Sequence, residues 1–339
     1  MKKVFVGIDF SKLTFDAVVL FDVESNVFTH QVFDNTPDGC ALFIKWVKSL
    51  CKTSIKHWLV CGENTGLYSI ELTKYLNKKN IDIWLESGLQ VKLSMGIVRG
   101  KSDKSDAKQI CIYCLRYQDR ARLSKLRSDV LDQVKDLTAY KERLKKTIHI
   151  LKVSSKELSR IKTNQSVTYI TEASNDTIKN LDSEIKIIDK KIKELLEKED
   201  SLYTNFKLIN TIKGIGFENS IMILILTDNF TLFSDPRKFA CYSGVVPFKN
   251  ETGTSKKGKE KVSSIANKNM KRLISNAACS AIQHDKKMRE YYQNKIAQGK
   301  NVWIVQNNVK NKLIHLMFAV VRDQKEYNPD FEYKTAIAA

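Results

Sequence analysis

A mixed α/β layer followed by a long two-helix hairpin and a mostly helical C-terminal part is the fold class that this 339-residue chain predicts. Three observations carry it. Short segments between residues 3 and 85 alternate apolar and polar positions with the period of two that marks strands, and helical spacing appears among them. Two later segments hold a four-three heptad spacing. Beyond residue 203 the apolar residues recur at helical intervals, and Gly-containing turns interrupt them.

The first strand is read from Lys3 to Asp9, where Val4, Val6 and Ile8 alternate and a carboxylate closes the segment. Residues 15–21 and 27–33 read as two further strands, which with the first form an antiparallel meander. A helix follows over Pro37 to Leu50, with Pro in its first turn. A buried strand, His57 to Cys61, leads to Glu63. A helix near Tyr68 to Lys78, a strand at Ile81 to Leu85 and a helix beginning close to Asp103 complete a layer whose helices cover a sheet. Asp9 and Glu63 thus fall at C-terminal strand ends, where open α/β sheets place their ligands. Asp103 and Asp106, three apart on a helix, share a face. A ribonuclease-H-like sheet would bring these four acids together.

Val130, Val134, Leu137, Leu144, Ile148 and Leu151 form one heptad series, and Ile178, Leu181, Ile185, Ile188, Ile192 and Leu195 form another. The Ser-, Thr- and Asn-rich stretch at about 155–177 is expected to turn the chain back, giving an antiparallel coiled-coil hairpin. Such a hairpin serves equally as an intramolecular spacer or as a dimerisation arm. The boundaries expected are 1–125, 126–202 and 203–339.

The chain carries 57 Lys+Arg against 38 Asp+Glu, a formal net charge of +19. Exposed cations bind polyphosphate by releasing its condensed counterions, so this surplus points to nucleic acid rather than to small acidic substrates. Asp9, Lys12 and Asp16 interrupt the apolar run that an export signal needs, and the longest purely apolar run, Ile221 to Leu226, is far short of the ~20 residues that cross a bilayer. No membrane partner is expected. The seven cysteines form no disulfide framework, and Cys111 and Cys114 have no second pair to complete a zinc site. Reduced, packed thiols in a bacterial cytoplasm are the expectation.

Two C-terminal segments suit phosphate. Lys213, Gly214 and Gly216 lie in a turn like that of a helix-hairpin-helix element, in which glycines let backbone N–H groups approach a phosphate. Between residues 249 and 272, eight basic residues (Lys249, Lys256, Lys257, Lys259, Lys261, Lys268, Lys271 and Arg272) stand against Glu251 and Glu260. The first half reads as a loop. The second, from about Ser264, reads as a helix with Ile265, Met270, Leu273 and Ile274 facing inward.

Carboxylates from separate elements can hold Mg²⁺, a hard cation that prefers oxygen ligands, and two such ions stabilise the attacking and leaving oxygens of phosphoryl transfer. Taken singly, Asp103 and Asp106 suit a helix N-terminus and Glu63 suits a cap. Taken together with their strand-end placement, the four acids point to a divalent-metal site.

The segments Val6-Gly7-Ile8-Asp9-Phe10-Ser11-Lys12, Gly62-Glu63-Asn64-Thr65-Gly66 and Lys101-Ser102-Asp103-Lys104-Ser105-Asp106-Ala107 closely resemble the DEDD motifs of the IS-one-ten family of insertion-sequence transposases, related to the Piv DNA invertases. The similarity continues through Ile212 to Gly216, Phe239 to Pro247 and Val262 to Lys268. It implies a RuvC-like N-terminal domain holding Mg²⁺ or Mn²⁺ through Asp9, Glu63, Asp103 and Asp106. A coiled coil and a C-terminal transposase domain would follow. It also implies recombination of double-stranded DNA at element ends and target, guided by a bridge RNA, in a dimer or tetramer with composite active sites. The family's nucleophilic serine falls in a Glu-Ser-Gly-like motif; here Glu251-Thr252-Gly253 matches it, so Thr252 stands at the serine position. A threonine hydroxyl can attack phosphorus once activated. Two other readings stay open: a RuvC-like metal nuclease that activates water without a covalent intermediate, and a catalytically impaired relative that only binds nucleic acid.

Overall fold

The computed structural model describes residues 2–329 except 23, 25, 97–101, 126 and 253–255; of 249–252, 256, 257 and 259 it describes the backbone alone. The chain forms two compact units, Met1–Leu126 and Arg127–Ala339.

In the first unit, β1 (Val4–Phe10), β2 (Thr14–Leu20) and β3 (Thr29–Asp34) form the meander, followed by α1 (Pro37–Leu50), β4 (Trp58–Glu63), α2 (Ile70–Lys78), β5 (Ile83–Glu86), α3 (Gly88–Ser94) and α4 (Asp103–Arg116). The sheet order is β3-β2-β1-β4-β5, with β2 antiparallel to its neighbours and β1, β4 and β5 parallel. This mixed sheet is consistent with a ribonuclease-H-like fold. Alternation sends Val4, Val6, Ile8 and Phe10 to one face, where Phe15, Phe33, Phe43 and Trp58 join them, and Phe5 to the other, with Leu20, Leu59, Trp84, Ile110 and Cys111. The second face is roofed by α4. The thiols of Cys111 and Cys114 sit in that roof, 3.3 Å from the Phe5 carbonyl oxygen and 3.5 Å from that of Leu59. Burial pushes the Cys111 thiol up to about 12, so it is a packed hydrophobe, not a nucleophile.

The second unit opens with α5 (Asp129–Ile161) and α6 (Gln165–Leu196), a helical hairpin. The reversal takes only residues 162–164, not the longer stretch its composition suggested. Hydroxyl side chains are accommodated on the helix by bonding the carbonyl four residues back, as Thr171 does to Val167 (2.8 Å) and Thr177 to Ala173 (2.9 Å). Asn164 caps the start of α6. The apolar seam buries Val134, Leu144 and Ile148 of α5 and Ile178, Ile188 and Ile192 of α6.

After the hairpin come α7 (Asp200–Asn210), α8 (Phe217–Thr227), α9 (Pro236–Tyr242), β6 (Pro247–Thr252), β7 (Lys256–Val262), α10 (Lys268–His284), α11 (Lys286–Ala297) and α12 (Val302–Asp323). A single apolar core joins α7 to α10 and α12 with the root of the hairpin. Lys141 of α5 is buried at that root, its ammonium bonded to Asp189 of α6 and lying 2.9 Å from Glu218 of α8, with Lys145 also on Glu218. Among the described residues no helix is long and apolar enough to cross a membrane.

Candidate active site

Asp9 ends the apolar alternation of β1, and its odd-numbered register puts it on the α4 face of the sheet. β1 pairs with β2 so that Asp9 stands opposite Asp16. One residue beyond the Ile8–Gly62 pair, β4 ends at Glu63, which in turn stands opposite Glu86 of β5. Four carboxylates therefore form a row across four strands, on the face that α4 covers. Like charges opposed across a ladder repel, so this row is costly by itself.

α4 contributes from above. Ser102 caps it and accepts from the Ser105 backbone N–H at 3.2 Å, while the Ser105 hydroxyl accepts from the Ser102 N–H at 3.0 Å, a reciprocal capping box. Asp103 and Asp106 follow in the first turn, Asp103 exposed and Asp106 half-buried. The helix can lie this close only because β1 carries glycine at position 7: a Cβ there would sit 2.2 Å from the Ala107 carbonyl oxygen.

Asp9 registers the crowding. Burial first, then the charges of Asp106, Asp103, Glu63 and Asp16, raise its pKa from 3.8 to about 6. Among the described residues, no three Asp, Glu, His or Cys side chains converge closely enough to hold a metal ion between them. The Glu63 carboxylate lies over Gly88, its Oε1 where a Cβ at that position would be. The four acids foreseen from the strand and helix ends thus share one neighbourhood and one field, with side chains spread apart.

Two residues of this row escaped the sequence reading. Asp16 is held by His30 of β3, whose Nε2 lies 2.6 Å from Asp16 Oδ1. Glu86 accepts from the Tyr113 hydroxyl at 3.3 Å. The signal for Asp16 was the shortness of the three-residue connection at 11–13, closed by Ser11 N–H donating to the Thr14 carbonyl at 2.9 Å, because a connection that short fixes the hairpin register.

In the second unit, Thr252 is the last residue of β6 and pairs with Lys256, the first residue of β7. The expected loop is thus largely a two-stranded ribbon. Its Lys, Gly and Glu residues leave no apolar face to announce strands. The side chains of Thr252, Lys249, Lys256, Lys257 and Lys259, and residues 253–255 altogether, lie outside the described residues. Lys261, Lys268 and Arg272 are exposed and Lys271 half-buried. α10 starts at Lys268, capped by Asn267, and buries Met270, Leu273 and Ile274; Ile265 precedes the helix and is 72% exposed instead of facing inward. Lys213 is exposed in the α7–α8 turn. Gly214, at φ +92°, packs against α10, where a Cβ would meet the Ala277 carbonyl oxygen at 2.5 Å, so its missing side chain serves helix packing. Gly216 is open and precedes the first turn of α8.

Known proteins share both units. Residues 6–158 match the DEDD transposase model of the IS110 group, and residues 206–293 match the model described as transposase IS116/IS110/IS902 family. The chain is 24% identical over 337 residues to the pilin gene-inverting proteins of Moraxella lacunata and Moraxella bovis, covering 97% of this chain and 98% of each relative. It is also 25% identical over 132 residues to an uncharacterized 43.6 kDa protein of insertion element IS110 from Streptomyces coelicolor, covering 39% of this chain and 32% of that protein. With two models of one family matched in order, and the acid-bearing strands and helix falling within the first, the chain belongs to the IS110 family of transposases.

Proposed function

We propose that this transposase cuts and exchanges strands of double-stranded DNA at element ends and target, through a divalent-metal site and a covalent protein–DNA intermediate. The observation that carries the reading is the charge crowding around Asp9: carboxylates from two strands and one helix raise its proton affinity, and a cation would relieve the same repulsion. The donor set is all oxygen, which suits Mg²⁺ or Mn²⁺. Asp9, Glu63, Asp103 and Asp106 would hold the ion, and its charge would stabilise a DNA phosphate undergoing substitution.

Thr252 is the nucleophile in this reading. Its hydroxyl gives up a proton as Oγ bonds to phosphorus, and the bridging P–O bond that breaks leaves a protonated sugar hydroxyl on the departing strand, so the phosphodiester energy is kept for rejoining. The end of a strand suits such a residue, since Thr252 closes β6 of a short two-stranded ribbon. Lys249, Lys256, Lys257, Lys259, Lys261, Lys268, Lys271 and Arg272, with Lys213 and the open Gly216, bind nucleic-acid backbone; a guide RNA shares that basic surface. α5 and α6 act as an antiparallel coiled coil within a homo-oligomer, between a metal-binding part at 1–125 and a transposase part at 203–339.

The test uses the full-length protein with element-end DNA, Mg²⁺ and the RNA transcribed beside the gene. A denaturant-resistant protein–DNA adduct is expected, and it should vanish in Thr252→Ala and in Asp9→Asn. An adduct that survives Thr252→Ala removes that residue from the role. Free DNA ends without any adduct would instead establish hydrolysis.

A further inference from the structure

The row across the sheet contains a carboxylate that the four-acid reading leaves unused. Asp16 stands opposite Asp9 on the same face, and paired residues on an antiparallel ladder have Cβ atoms roughly 4.5–5.5 Å apart. Asp16 and His30 are both largely shielded, with side chains 13% and 20% exposed. His30 takes Oδ1 at 2.6 Å, and among the described residues Oδ2 has no hydrogen-bond partner. An aspartate at this position adds negative charge beside Asp9, so as a fold-stabilising residue it is a poor choice.

We propose that Asp16 is a positioning residue of the carboxylate site, oriented by His30 so that its second oxygen accepts a hydrogen bond from the hydration shell of the cation held by Asp9. Mg²⁺ dehydrates reluctantly and keeps several waters, so a site built from few protein ligands needs acceptors for those waters just outside them. His30 fixes the Asp16 rotamer, as outer-shell partners commonly orient the groups that face a metal. The inference rests on the metal reading above and adds Asp16 and His30 to it.

Mn²⁺ titration of the full-length protein without nucleic acid, followed by electron paramagnetic resonance, tests it. Asp16→Asn should weaken Mn²⁺ binding by about 10- to 100-fold. The same variant should raise the melting temperature of the metal-free protein, because it removes a like charge opposite Asp9. His30→Ala should weaken Mn²⁺ binding in the same direction, and His30→Gln, which keeps a donor, should restore most of it. A merely structural Asp16–His30 pair gives the opposite pattern, with lower metal-free stability and unchanged affinity. Wild-type Mn²⁺ affinity in Asp16→Asn while Asp9→Asn has lost binding would overturn the role of Asp16 alone. Undiminished binding in Asp9→Asn as well would overturn the metal site and this inference with it.

Discussion

Gly7 and Ala107 meet backbone to backbone, so the helix that carries Asp103 and Asp106 rests directly on the strand that carries Asp9. A methyl group at Gly7 would come within 2.2 Å of both the Ala107 carbonyl oxygen and the Cys111 nitrogen, and neither can swing aside as a side chain would. Gly7→Ala should therefore cost about 2–3 kcal/mol of stability, measured by urea denaturation, as overpacking of a tight interface does. It should also lift α4 from the sheet, and Mn²⁺ affinity should fall although no acid has been altered. Affinity unchanged in a folded Gly7→Ala protein would disconnect α4 from the site.

The proton affinity of Asp9 gives a pH signature. Its pKa is about 6 in the fold against 3.8 for the ordinary group, so the metal-free fold holds the proton more tightly than the unfolded chain does. The corresponding stabilisation is complete below pH ~4 and is lost as pH rises through about 6. Melting temperatures of the metal-free wild type and Asp9→Asn should therefore diverge over this window, with the wild type falling relative to the variant. Added Mn²⁺ should close the gap from the wild-type side. Parallel curves would show that Asp9 carries no such burden.

Lys141 is 5% exposed and answers two carboxylates, Asp189 and Glu218. Burial pushes the Glu218 carboxyl up, but its bonds to Lys145 and Lys141 outweigh that and hold it below the usual range. Removing the ammonium by Lys141→Ala leaves Asp189 without its partner and Glu218 with Lys145 alone, and should cost about 2–3 kcal/mol, less than for a fully buried pair because both carboxylates retain some solvent. Lys141→Met, which keeps the packing stem, should cost less. Chemical denaturation of the two variants checks the order.

Thr252→Ser should accelerate adduct formation, by roughly tenfold, because the β-methyl group that stiffens the side chain and crowds the attacking oxygen is gone. Single-turnover adduct yield against time measures it. A slower serine variant would mean that the site is shaped around threonine.

The acids at β1, β4 and α4 were legible because each ends or begins an element that its own residues announce: apolar alternation up to Asp9, a buried strand before Glu63, and a helix opening near Asp103. Asp16 and Glu86 were not, because their significance lies in cross-strand register, which no single segment contains. The ribbon at 247–262 was hidden for a different reason. A two-stranded element with both faces polar has no hydrophobic period to read. The reversal between α5 and α6 was misplaced because hydroxyl-rich composition signals a turn only where the backbone lacks better partners, and here the helix supplies them.

The long pair of helices has a mechanical consequence. α5 is pinned near its base by Lys141, and roughly 20 residues then run to its far end, about 30 Å at 1.5 Å per residue. A pivot of only ~10° at the pin would carry that end some 5 Å, by the same rise per residue. Glu218, one of the two carboxylates at the pin, sits in the first turn of α8, just after Gly216. Any displacement of the remote tip would therefore reach, much reduced, the backbone beside a proposed phosphate contact.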